Sequence, residues 1–202
     1  MHSKESDIEL PTKTIDKNWI QVRNKAKERK KPVSKYHLSE EDFRHMLAIE
    51  KNSFLDKIGR IIGEKKDKIQ RINKGGDRVT VPFTERSIDS IAEEIDCKVG
   101  KWLLFFPEKE IDGTWKKIAT AVLNGELGSC EYAKVATALQ KKENYLICVY
   151  TPNYLNGADV MVVRKKLREM GFTQTLYYKP DIYTYLGIYS KNPHVKASRY
   201  KS

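Results

Sequence analysis

Between residues 98 and 190 the apolar pattern changes period several times, and this constrains the fold more than any other feature. Val99-Gly100-Lys101-Trp102-Leu103-Leu104-Phe105-Phe106-Pro107 is a short, nearly solid apolar run, the pattern of a buried strand. Trp115, Ile118, Ala119, Val122 and Leu123 then recur at helical spacing, which predicts a helix over 113–124 capped by Asp112 and stopped by Gly125 or Gly128. Ala133 to Leu139 and Tyr145 to Tyr150 read as strands joined by a turn at Lys141-Lys142-Glu143-Asn144. Asp159 to Met170 reads as a helix ending at Gly171. Thr175 to Tyr178 and Ile182 to Tyr189 read as two strands joined by Lys179-Pro180-Asp181. Strands joined by short turns cannot be parallel, so the order β-α-β-β-α-β-β predicts an α+β fold. Its body is a curved, mainly antiparallel sheet with helices on one face.

The rest of the chain is more polar. Residues 1–38 end in Lys25-Ala26-Lys27-Glu28-Arg29-Lys30-Lys31 and read as a basic, largely flexible tail. Within it Trp19, Ile20 and Val22 mark 17–23 as a short strand or anchor. Residues 193–202 read as a C-terminal tail. The formal charge is +11, with the excess in 1–38 and 98–202 and a slight acidic balance in 39–97. A basic surface favours an anionic partner, RNA or a nucleotide first and an acidic protein second; solubility alone is the plain alternative. The apolar run Trp102 to Phe106 is too short to span a bilayer, so no membrane partner is expected. Cys97, Cys130 and Cys148 are odd in number and lack paired spacing. No disulfide framework or cysteine metal site is expected, no cofactor is implied, and a reducing compartment, cytoplasm or nucleus, fits.

Residues 39–97 carry a second pattern. Phe54, Leu55, Ile58, Ile61 and Ile62 recur at helical spacing, and Ile69 and Ile72 continue it after Gly63. Arg78 to Pro82 reads as a strand, and Ser87 to Ile95 as an amphipathic helix capped by Thr84 or Ser87. The stretch Ile58-Gly59-Arg60-Ile61-Ile62-Gly63-Glu64-Lys65-Lys66-Asp67-Lys68-Ile69-Gln70-Arg71-Ile72 resembles the core of a K-homology (KH) RNA-binding module. Gly63 matches the first glycine of that family's Gly-x-x-Gly loop, and Lys66 stands where the second belongs. The resemblance implies RNA backbone contact by Gly63, Lys65, Lys66, Lys68 and Arg71. A helix–turn–helix of structural use only, with a basic solvated face, is the other reading.

The later region carries a longer resemblance. Gly100-Lys101-Trp102-Leu103, Asp112-Gly113-Thr114-Trp115, Ala133-Lys134-Val135, Val149-Tyr150-Thr151 and the run Tyr178 to Tyr189 resemble the Bles family of eukaryotic proteins. That family's fold is similar to translation initiation factor 4E, the mRNA cap-binding protein. The resemblance spans about 97–195, and it implies a sheet domain over 98–192. No tryptophan precedes the Trp102 strand at the place where the cap protein has half of its base sandwich, so the usual cap geometry is not implied. Lys141 and Lys142 occupy the turn that carries phosphate contacts there.

Lys179 is flanked by Tyr177, Tyr178, Tyr183, Tyr185 and Tyr189, a composition suited to base stacking beside phosphate. Tyr178, Tyr183 and Tyr185 are the stacking candidates, and filling of a sheet–helix interface is the plain alternative. Lys134 and Lys179 lie in predicted strands, where a lysine head kept from water requires an anion or a carboxylate; Asp181 is the nearest carboxylate in sequence. Thr175 to Asp181, Gly76-Asp77-Arg78 and Lys101-Trp102 resemble short stretches of bacterial phosphothreonine lyases. Leu103 and Thr80 stand where those enzymes carry their base and acid. The expectation is therefore non-catalytic binding of RNA or a nucleotide. A phosphate-directed enzyme is the first alternative. The second is a module for an acidic protein, using Arg164, Lys165, Lys166 and Arg168.

Overall fold

The computed structural model describes residues 13–16, 19–27, 70–72, 78–80, 84–137, 143–190 and 195–202. In chain order the elements are β1 (Lys13–Asp16), β2 (Trp19–Arg23), β3 (Gln70–Ile72), β4 (Arg78–Thr80), α1 (Glu85–Glu94), β5 (Gly100–Phe106), α2 (Glu108–Leu123), β6 (Tyr132–Ala136), β7 (Tyr145–Thr151), α3 (Gly157–Glu169), β8 (Tyr177–Pro180), α4 (Asp181–Tyr185) and β9 (Tyr200–Lys201). The chain divides into two units. One comprises 1–28, 98–190 and 196–202, and the other comprises 29–97 and 191–195.

The first unit is a seven-stranded sheet in the order β1-β2-β6-β7-β5-β8-β9, antiparallel at every pairing. Strand alternation sorts its side chains cleanly. Val22, Trp102, Leu104, Ala133, Val135, Ile147 and Val149 are buried on one face. They meet Ile118, Ala119 and Val122 of α2 and Val160, Val163 and Leu167 of α3, all likewise buried. Trp102 anchors this layer: its Nε1 donates to the Val160 carbonyl at 3.1 Å, satisfying the one polar atom of a fully buried indole. Both helices lie on one face of an antiparallel sheet, as the periodicity predicts.

Several boundaries differ from the sequence reading. Helix α2 begins at Glu108 behind Pro107, not at Asp112. The proline supplies an extended N-cap, and Glu108 and Glu110 sit in the first turn, where a helix N-terminus favours negative charge. The 182–189 run is not a strand. Pro180 opens the short helix α4, and Gly187, at φ +69°, follows its end. Residues 193–202 are not simply a tail, since β9 pairs with β8 and Tyr200 faces Tyr178. Nor is 1–38 simply a tail: β1 and β2 extend the sheet. Asn24 follows β2, is buried, and its amide donates to the Val122 and Leu123 carbonyls at the end of α2, at 2.9 and 3.2 Å.

In the second unit β3 and β4 pair antiparallel, Gln70 with Thr80 and Ile72 with Arg78. The helix expected to run through Ile72 therefore does not. Residues 70–72 are a strand, and this departs from the KH pattern, which needs a helix there. The KH-like module finds no support in the described residues. Thr84 and Ser87 form a reciprocal capping box at the start of α1, which buries Ile88, Ile91 and Ala92. Asp96 takes the left-handed conformation (φ +53°), and the Cys97 amide closes back on the Ala92 carbonyl at 2.8 Å.

Candidate anion-binding face of the sheet

The sheet face turned away from α2 and α3 lies wholly within the first unit. Its side chains form three rows across the strands. The first row runs Arg23, Tyr132, Tyr150, Lys101, Lys179; the register pairs Arg23 with Tyr132, and Lys101 with both Tyr150 and Lys179. The second runs Gln21, Lys134, Cys148, Leu103, Tyr177, Lys201. The third runs Trp19, Ala136, Leu146, Phe105. Successive rows lie two residues, about 6.6 Å, apart along the strands.

Cations and rings interleave in the first two rows. Tyr132 stacks on Tyr150 with centroids 4.3 Å apart. Arg23 lies 4.5 Å from the Tyr132 centroid, and Lys134 lies 5.7 and 5.3 Å from those of Tyr132 and Tyr150. Lys101 sits 5.2 Å from the Tyr150 centroid. Lys179 sits 3.9 Å from that of Tyr189, which flanks the row from beyond α4. Ammonium groups over aromatic faces are attracted by the ring quadrupole while keeping their donors free.

The charge balance is lopsided. Lys101 donates to Asp181 Oδ1 at 2.5 Å, with both side chains largely sheltered (16% and 23% exposed). Among the described residues this is the one carboxylate within ion-pair distance of Lys101, Lys134 or Lys179. Burial lowers the pKa of Lys134, with Asp181 opposing and Lys101 adding to the fall. Burial and then the Lys101 ammonium lower that of Lys179, and Asp181 again opposes. Burial raises the Tyr150 and Tyr132 hydroxyls well above the ordinary phenol value, so neither is an anion. Burial likewise pushes the Cys148 thiol up to about 12, so no thiolate balances the lysines. This group of cations can therefore hold a small polyanion: three ammonium groups with spare donors, framed by rings and opposed by one carboxylate.

The sequence-predicted residues distribute unevenly. Lys179 is in the cluster and only 9% exposed. Lys134 and Asp181, singled out by position alone, are there too. Tyr178 points to the other face, fully buried: its hydroxyl shares a 2.5 Å hydrogen bond with Thr151, its ring meets Trp102 edge-on, and it offers no face for stacking. Tyr183 is also fully buried, on α4, so both belong to the core reading rather than the stacking one. Tyr185 is exposed, but on a helix, not on a strand face shared with Tyr183. Arg71 lies on β3, and Gly63, Lys65, Lys66, Lys68, Lys141 and Lys142 fall outside the described residues. Arg164 is no surface charge: it is buried and donates to the Phe172, Gln174 and Ser202 carbonyls. Lys165 and Lys166 both pair with Glu169. Sequence reasoning missed Lys101, Tyr132 and Tyr150 as members of the site. The available signal was alternation, since each lies at an even step from a buried core residue's neighbour on its strand.

Among solved structures, the chain is similar to schistosome eIF4E complexed with m7GpppG and 4E-BP, at 11% identity and a TM-score of 0.41, covering 52% of this chain and 59% of that one. It is also similar to C. elegans eIF4E-3 in complex with the 4E-binding protein Mextli and a cap analog, at 11% identity and 0.41, covering 62% and 65%. A third is Ascaris suum eIF4E-3 with the m7G cap, at 10% identity and 0.38, covering 91% and 93%. The chain thus spans less than two thirds of the length of the schistosome and C. elegans proteins. The family described as basophilic leukemia-expressed protein Bles03 matches residues 10–187, most of the chain and Lys101, Lys134, Lys179 and Asp181 among them, and the chain belongs to that family.

Proposed function

We propose that this protein binds RNA or a nucleotide without catalysis, taking phosphate on the sheet face turned away from α2 and α3. The observation that carries this reading is the convergence of Lys101, Lys134 and Lys179 on one sheltered patch with, among the described residues, a single carboxylate, Asp181. Uncompensated ammonium groups kept from water are costly, and a bound phosphate removes the cost. Lysine binds phosphate as a point charge, and the rings interleaved with these cations suit a ligand that carries bases, which favours RNA or a nucleotide over an acidic protein. The site proposed differs from the cap sandwich, since its aromatic partners are tyrosines flanking cations. The three cysteines, buried and in no disulfide, support a reducing location in cytoplasm or nucleus.

The test is fluorescence anisotropy of a short single-stranded RNA, capped and uncapped, at two salt concentrations. Wild type is compared with Lys101→Met, Lys134→Met and Lys179→Met. Binding that weakens steeply with salt and falls in each variant is the expected result. No binding at low salt, or binding indifferent to all three substitutions, overturns the reading.

A further inference from the structure

Beyond the cationic rows the same face turns apolar and open. Phe105, in the third row, is 54% exposed, and Tyr177, in the second, is 43% exposed. Both project from the side that carries the lysines, since Phe105 follows Lys101 and Leu103 at two-residue steps and Tyr177 pairs with Leu103. Lys201 Nζ lies 5.6 Å from the Tyr177 ring centroid, so a cation accompanies this end as well. Large rings left in water on an otherwise well-packed sheet mark a contact surface. The neighbouring charge specifies what it contacts: Arg23, Lys101, Lys134, Lys179 and Lys201 against Asp181 is a surface for a polyanion that also carries flat apolar groups.

Resting on the binding role proposed above, we propose that the ligand is a single-stranded oligonucleotide lying along β5. Its phosphates sit over Lys101, Lys134 and Lys179, and its bases stack on Phe105 and Tyr177. The spacing sets the ligand's length. Lys101 to Phe105 is four residues of strand, about 13 Å at about 3.3 Å per residue. A mononucleotide cannot touch both ends, while at about 3.4 Å per stacked nucleotide the distance holds about four. A base platform beside a basic track gives binding that tolerates sequence and grows with length. A duplex hides its base faces and cannot use Phe105 or Tyr177 in this way.

The experiment measures, on the full chain, binding of AMP, of single-stranded hexa-adenylate, of a six-base-pair RNA duplex and of hexa-glutamate. Wild type, the double variant Phe105→Ala/Tyr177→Ala and Lys134→Met are compared, with circular dichroism as the folding control. Both aromatic rings are exposed, so their truncation leaves the fold intact. The single strand is expected to bind at least about tenfold more tightly than AMP or the duplex; the double variant loses that gain, and Lys134→Met weakens AMP and hexamer alike. Equal binding of AMP and hexamer, or a gain that survives the double variant, overturns this inference and leaves the phosphate site standing. Hexa-glutamate binding as tightly as the hexamer shows a nonspecific polyanion surface and overturns it as well. Absence of binding by every probe overturns both proposals.

Discussion

Replacing Asp181 with asparagine removes the negative charge paired with Lys101 in the lysine patch while keeping the side chain's shape. Its two consequences carry opposite signs. In the free protein Lys101 loses its partner at 2.5 Å, beside Lys134 and Lys179. Exposed ion pairs contribute about 0–1 kcal/mol and breaking a buried one costs about 3–5. At 16% and 23% exposure this pair falls between, so a loss of about 1–3 kcal/mol in stability is expected. For a bound phosphate the change is favourable. A unit negative charge about 6 Å from the Asp181 carboxylate is repelled by about 0.7 kcal/mol at the dielectric constant of water and about 3 kcal/mol at an effective value near 20. Asp181→Asn is therefore expected to bind pyrophosphate or RNA about 3- to 100-fold more tightly, with a lower melting temperature in the absence of ligand. Thermal melts with and without pyrophosphate, alongside anisotropy titrations, read both effects. If the variant binds anions more weakly than wild type, Asp181 is not a competing counter-ion and the lysine patch is not the site.

Other consequences follow from the same structure. Lys134 and Lys179 have pKa values below 10.5 in the folded protein, so their contribution favours folding above that value and is lost as pH falls through the lowered folded pKa. An anion favours their charged form, so binding on the alkaline side, below 10.5, takes up protons; calorimetry there in two buffers of different ionisation enthalpy is expected to show this, and Lys134→Met to reduce it. The same Lys134→Met variant is expected to gain about 0.5–2 kcal/mol in urea unfolding, because a sheltered charge is removed. Gly100→Ala brings a methyl group into the Tyr178 ring and is expected to cost about 1–3 kcal/mol, read as a fall in melting temperature. Trp102→Phe removes the indole ring and its hydrogen bond to the Val160 carbonyl and is expected to cost about 1–3 kcal/mol; an unchanged unfolding midpoint would show that the core closes over the lost volume.

The sheet of the first unit is legible in the sequence wherever a strand or helix declares itself locally. The nearly solid apolar run Val99 to Phe106 declares β5, while which residues take which face is read only from the burial of Trp102 and Leu104 against Lys101 and Leu103. What is not legible is what depends on distant partners. Tyr200 gives no strand signal within its own neighbourhood; it becomes one because Tyr178 offers an unpaired edge. Residues Ile182 to Tyr189 alternate like a strand, yet Pro180 before and Gly187 after them are helix punctuation. That punctuation outweighs the β-rich composition over so short a stretch. Asp112 as a cap suggests a later start for α2, but the helix runs through it from Glu108, and Gly113 lies on an open side where a glycine costs only its intrinsic propensity. The site was half legible. Lys134 and Lys179 stand out as lysines in apolar strands, whereas the pairing of Lys101 with Asp181 joins residues 80 positions apart that only the sheet brings together.

The strand order β1-β2-β6-β7-β5-β8-β9 also bears on how the chain reaches its fold. Strand β2 waits for β6 more than a hundred residues later, so β1 and β2 leave the ribosome long before the edge they join exists. At the opposite edge β8 stays bare until Tyr200 emerges. Pairings of such long sequence separation slow folding, because chain entropy is surrendered before contacts reward it. During synthesis the nascent protein therefore passes through a stage in which β5, β7 and β8 are formed with one strand edge uncovered, the period of greatest exposure to edge-to-edge aggregation.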